Sequence, residues 1–145
     1  SLCMTKMALN YWCLKRLIND MHRTQGILGL RPSISTINKT LNITTAEQFQ
    51  NDTLRPILKF QHEIITAMFK TCLQRNKVDF SQQTSEEKEA TVNTLFQKDI
   101  VFKNQVTGAV LGMLTTQEYD TYSCDASGYG RRISTMLKQR ILSSY

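Results

Sequence analysis

The residues best suited to chemistry in this chain fall in two groups. The first is Asn51, Asp52, Arg55 and Lys59, set around Pro56. A proline inside a helix removes one backbone N–H bond and crowds the carbonyl four residues back, at a cost of ~3 kcal/mol. Carbonyls loosened in this way beside Arg55 form a place to hold a water, a side chain or a small anion. The plainer reading is that Arg55 satisfies those carbonyls or pairs with an acid. The second group is Arg131, Arg132, Lys138 and Arg140, with no acid among them. A helix carrying them suits phosphates, with Tyr122 or Tyr129 stacking on a base. Its plainer reading is favourable charge near a helix C-terminus.

Other chemistry finds little support. The two histidines, His22 and His62, are far apart in the chain. His62 adjoins Glu63, but neighbouring helical residues do not converge on one point. No His-Glu-x-x-His, Gly-x-Ser-x-Gly, phosphate-binding loop or Gly-x-Gly-x-x-Gly pattern occurs. Asp52 and Glu63 lie roughly three helical turns apart, too far along the axis for a catalytic dyad. Gly128-Tyr129-Gly130 is too short for a phosphate cradle and reads as a separator between two helices. The four cysteines, Cys3, Cys13, Cys72 and Cys124, form no Cys-x-x-Cys pair and no zinc-ligand spacing. They read as reduced thiols of a cytoplasmic protein. No metal or cofactor is expected.

The 145 residues fit one domain, with 41% hydrophobic and 21% charged residues, which argues against wholesale disorder. A net charge of +6 permits an anionic partner without demanding one. No apolar run has the length of a membrane span, and Asn10, Lys15 and Arg16 interrupt any signal-peptide core. The sequons Asn38-Lys39-Thr40, Asn42-Ile43-Thr44 and Asn51-Asp52-Thr53 therefore read as chance matches.

The elements that must position these residues read as helices throughout. Residues 1–44 form an N-terminal helix to about residue 21, then an extended arm punctuated by Gly26, Gly29 and Pro32. The helical domain is 45–145. Thr44 with Glu47 makes a capping box, and apolar three- and four-residue steps from Phe49 to Cys72 predict one long central helix kinked at Pro56. A loop over 76–84 is anchored by Val78 and Phe80. Thr84 with Glu87 starts a helix over 85–98, and Asp99 caps the next, 100–114. There Gly108 and Gly112 read as a close approach to a neighbour. Thr115 with Glu118 starts a short helix, the chain loosens at Ser127–Gly130, and a last helix spans 131–143. The fold class is all-α: a single-domain bundle of four or five helices around the Pro-kinked helix, with an N-terminal arm.

With Gly29-Leu30-Arg31-Pro32, Phe49-Gln50-Asn51 and Thr53 to Lys59 in view, the chain resembles a family of small helical bacterial proteins. Some of its members are labelled glyoxalases. Phe102-Lys103-Asn104, Gly108 to Gly112 and Thr115-Thr116-x-Glu118 extend the resemblance over roughly 27–141. It implies an all-helical fold and no tested activity. A glyoxalase would need a histidine-containing metal set, and this chain has none of the required motifs.

The sequence thus points to a non-enzymatic binding or interaction protein, with a homodimer or another protein as partner and no membrane. One alternative is an enzyme acting on a small anionic substrate near Arg55. Another is nucleic-acid binding through the basic last helix.

Overall fold

The computed structural model describes residues 2–34 and 43–145, with side chains from residue 10 onward in the first segment. Among these residues there are eight α-helical segments, one π-helical turn and no strand. The all-α class holds, with more and shorter helices than the four or five expected. The sequons at Asn38 and Asn42 lie wholly or partly outside the described residues.

Helix α1 spans Leu2–Leu30. The arm expected from residue 22 is therefore helical as far as Leu30. Gly26 and Gly29 are tolerated because they sit in open surroundings and carry no turn. A single glycine costs only about 1 kcal/mol in a helix interior.

The expected long central helix is divided. Helix α2 (Thr45–Phe49) opens on the Thr44–Glu47 capping box. A π-helical turn follows at Gln50–Leu54, then α3 (Arg55–Phe60) and α4 (His62–Arg75). Pro56 sits in the first turn of α3, where its missing N–H costs least. The π turn meets the rest of the proline problem. The Arg55 N–H bonds the Gln50 carbonyl five residues back, and this wider turn gives the pyrrolidine ring room over the Asp52 carbonyl. The proline is absorbed by a change of helix type, not by a kink. The break between helices comes later, at Gln61 (φ −85°, ψ 7°), whose side-chain amide donates to the Ala109 carbonyl at 2.9 Å.

Helix α4 ends on Lys77 in the left-handed region (φ 55°), with the Val78 N–H reaching back to the Leu73 carbonyl at 3.0 Å. This closure turns the chain so that Phe80 is buried and Val78 half-buried, both as anchors. Helix α5 (Ser85–Lys98) opens on the Thr84–Glu87 box, and Asp99 caps α6 (Ile100–Leu111). Helix α7 (Thr116–Cys124) opens on the Thr115–Glu118 box. Helix α8 (Ala126–Leu142) starts five residues earlier than expected. The Asp125 carboxylate accepts from the Gly128 N–H at 2.9 Å and caps the helix through the stretch expected to loosen.

Helices α4, α5, α6 and α8 pack on one another. Phe69 lies at the centre, with ring centroids 5.3 Å from Phe80 and 5.8 Å from Phe102, and Phe96 is 5.3 Å from Phe102. Ile65, Val92, Val106, Val110, Ile133 and Leu137 fill the space between them with no exposed surface. Each fully buried aliphatic or aromatic side chain contributes roughly 1.5–3 kcal/mol, so this layer fixes the position of α8. The expected close approach at Gly108 is absent, since nothing lies within 4 Å of a Cβ placed there. Gly112 instead presents its carbonyl to Arg23 of α1 at 3.0 Å.

Candidate anion-binding groove

Helix α8 has two faces at helical spacing. Tyr129, Ile133, Leu137 and Ile141 are buried against the bundle. Arg131, Arg132, Thr135, Met136, Gln139 and Arg140 run along the adjoining face and line a groove closed by the segment around the π turn. One part, about 550 Å³, lies between Gln50 and the first half of α8, with Ala46 at its wall. The other, about 330 Å³, lies between Arg55, Leu58 and the second half of α8. Gln50, Met136 and Gln139 line both parts and join them.

One residue of the first group singled out from sequence, Arg55, therefore meets three of the second. Arg55 and Arg140 line the smaller part, Arg131 and Arg132 the larger. The π turn makes this possible. By widening at Gln50–Leu54, the chain places Gln50 where its side-chain oxygen accepts from Arg132 at 2.9 Å. The phenyl ring of Phe49 is seated 4.9 Å from the Tyr129 ring, which holds the π-turn segment on α8.

Among the described residues the ion pairs are Arg31–Glu118 and Arg75–Asp99, so none of the four groove arginines is matched by a carboxylate. The carboxylate that lines the groove belongs to Asp125, and one of its oxygens caps α8. Burial alone pushes the Arg140 guanidinium below its ordinary value. It remains charged at any accessible pH, so its cost is met only by an acceptor. Gly128 keeps the cap tight. A Cβ there would fall 2.1 Å from an Asp125 carboxylate oxygen, so no larger residue fits without releasing that cap.

The other expected residues stand apart. Lys138 points to the far side of α8, its ammonium 5.5 Å from the centre of the Phe96 ring. Asn51, Asp52 and Lys59 do not line the groove, and Asp52 and Lys59 are exposed. Tyr129 borders the larger part but is buried, with the Phe49 ring 4.9 Å away, and Tyr122 is half-buried and does not line the groove. Sequence reasoning missed Gln50, Met136 and Gln139. The signal for Gln139 was the three- and four-residue stepping of polar residues along α8 from Arg132 and Thr135, parallel to its apolar stripe.

One further polar cluster joins the end of α4 to the start of α6. Asp99 accepts from Arg75 at 2.5 Å, Asn76 at 2.8 Å, Cys72 at 3.5 Å and the Phe102 N–H at 3.0 Å. These donors, Arg75 first, hold its carboxyl well below the usual carboxylate range. Burial, then the hydrogen bond and charge of Asp99, push the Cys72 thiol up to about 11. A protonated thiol beside a saturated carboxylate is a clasp between helices and not a nucleophile. Among the described residues no three His, Cys, Asp or Glu side chains are grouped to hold a metal ion, and no helix is long and apolar enough to cross a membrane.

Comparison of the chain with protein-family models, with curated proteins and with solved structures gives no match.

Proposed function

We propose that the chain is a non-enzymatic binding protein whose groove takes a small, multiply charged anion bearing phosphate or carboxylate groups. The observation that supports this reading is the gathering of Arg55, Arg131, Arg132 and Arg140 along one groove with no carboxylate paired to any of them. Guanidinium groups present planar, paired donors that match such oxygens. Binding is favoured over catalysis by the lining. Thr135 and Ser143 offer hydroxyls, but each is spent on a helix carbonyl, Thr135 donating to Arg131 and Ser143 to Arg140. The burial of Tyr129 favours a compact anion over a nucleic acid, which needs an exposed stacking face.

Titration calorimetry with pyrophosphate tests the reading. Arg132→Ala and Arg140→Ala are each expected to weaken binding by roughly 10–100-fold, the equivalent of one charge-assisted contact. Absence of heat with pyrophosphate and with small polycarboxylates would count against it. Tighter binding of a short single-stranded RNA, with a steep salt dependence, would favour the nucleic-acid alternative.

A further inference from the structure

Helix α1 has a face that the body of the molecule leaves uncovered. Its docked face is Asp20, Arg23 and Ile27, followed by Arg31 just beyond the helix. Asp20 accepts from the Thr116 hydroxyl at 3.0 Å, Arg23 donates to the Leu114 and Gly112 carbonyls at 3.0 Å, and Ile27 is buried. All these contacts lie in the last third of a helix about 44 Å long. A second stripe sits roughly 120° away around the helix. It holds Leu14, Met21 and Leu28 at seven-residue steps, with Leu17 and Ile18 between the first two and Tyr11 leading in. All six are exposed, from 44% for Ile18 to 66% for Tyr11.

We infer that this stripe is the seat of a second copy of the chain, helix α1 against helix α1. Three observations single out that occupant. The seven-residue step is the repeat by which two helices keep one seam in contact. The six side chains offer on the order of 700 Å² per copy, close to the ~800 Å² per partner of a stable interface. The stripe is also self-complementary about a two-fold axis between Leu17 and Ile18. Antiparallel pairing there sets Leu14 of one copy opposite Met21 of the other.

Sedimentation equilibrium of the full chain decides the matter. The wild type is expected to be a dimer at micromolar concentration. Leu14→Glu with Ile18→Glu is expected to make it a monomer that keeps its helical circular dichroism, because both side chains are exposed. Asn19→Glu, on the side of the helix turned away from the stripe, is expected to leave the dimer intact. A monomeric wild type, a dimer that survives the double substitution, or a dimer lost equally in Asn19→Glu would overturn the inference. So would a monomeric chain that co-sediments with phosphatidylcholine–phosphatidylserine vesicles, since the stripe would then serve a lipid surface.

Discussion

Where α1 meets the turn between α6 and α7, arginine is matched within the fold, although the buried Nε of Arg31 has no partner among the described residues. Arg31 gives two parallel bonds of 2.6 Å to the Glu118 carboxylate and a third of 2.6 Å to the Met113 carbonyl, while Arg23 spans two backbone carbonyls. In the groove, Arg131, Arg132, Arg55 and Arg140 have no carboxylate, and the hydrogen bond made by Arg132 goes to a neutral amide. The same side chain serves two ends. Guanidinium matched within the fold holds elements together. Guanidinium left unmatched in a groove remains available to an anion from outside. The comparison separates stability from binding, so substitutions on the two sides should have opposite signatures.

The largest effect is expected at Arg31. Its side chain is 8% exposed and that of Glu118 20%. Arg31→Ala leaves the Glu118 carboxylate without its cation, and breaking a buried pair from one side costs about 3–5 kcal/mol. Glu118 is also the reciprocal partner of Thr115 in the α7 capping box, which limits how far it can move toward water. Urea unfolding should show the loss in full, with pyrophosphate affinity of the remaining folded protein unchanged. A loss below about 1 kcal/mol would place this pair with surface ion pairs and erase the contrast.

Acid should reach the same junction next. Burial raises the Glu118 pKa, but the Arg31 hydrogen bonds and the Thr115 N–H outweigh it, and the net shift is downward. Asp99 is lowered too, through Arg75 and the Phe102 N–H. A carboxyl lowered in the folded state stabilises fully above its unfolded pKa, roughly 4, and that contribution is lost as pH falls through the folded value. The urea midpoint should therefore be level from neutral pH down to about 5 and decline below about 4. Glu118→Gln should be less stable at neutral pH and show a shallower decline. An unchanged slope would mean that other carboxylates carry the acid sensitivity.

How much of this was legible in the sequence depends on the range of the interaction that decides each feature. Capping boxes at Thr44, Thr84 and Thr115 and the cap at Asp99 depend on residues three apart, and each is present as read. The path of the chain at Pro56 depends on which register its neighbours adopt, and the π turn has no composition cue of its own. Gly128-Tyr129-Gly130 looks like a breaker locally, yet Asp125 three residues earlier and burial of Tyr129 against Phe49 keep it helical. Arg31 and Glu118 are 87 residues apart, so no local pattern announces that pair. The groove arginines were visible as two groups, but their convergence required the fold. Lys138 was placed in the second group by sequence proximity, and the helical turn sends it to Phe96 instead.

The smallest effect on stability is expected at Arg131. It is exposed and makes no hydrogen bond or ion pair through its side chain among the described residues. Surface substitutions of that kind stay within about 0.5 kcal/mol of wild type. Arg131→Ala should therefore leave the urea midpoint in place while weakening pyrophosphate binding, though less than Arg132→Ala, because an exposed guanidinium is better screened by water and salt. Raising the salt concentration should narrow the gap between Arg131→Ala and wild type before it narrows that for Arg140→Ala, whose guanidinium is half-buried. Equal salt sensitivity of the two variants would mean that both arginines meet the anion at the rim. The groove would then act as a charged surface and not as an enclosed site.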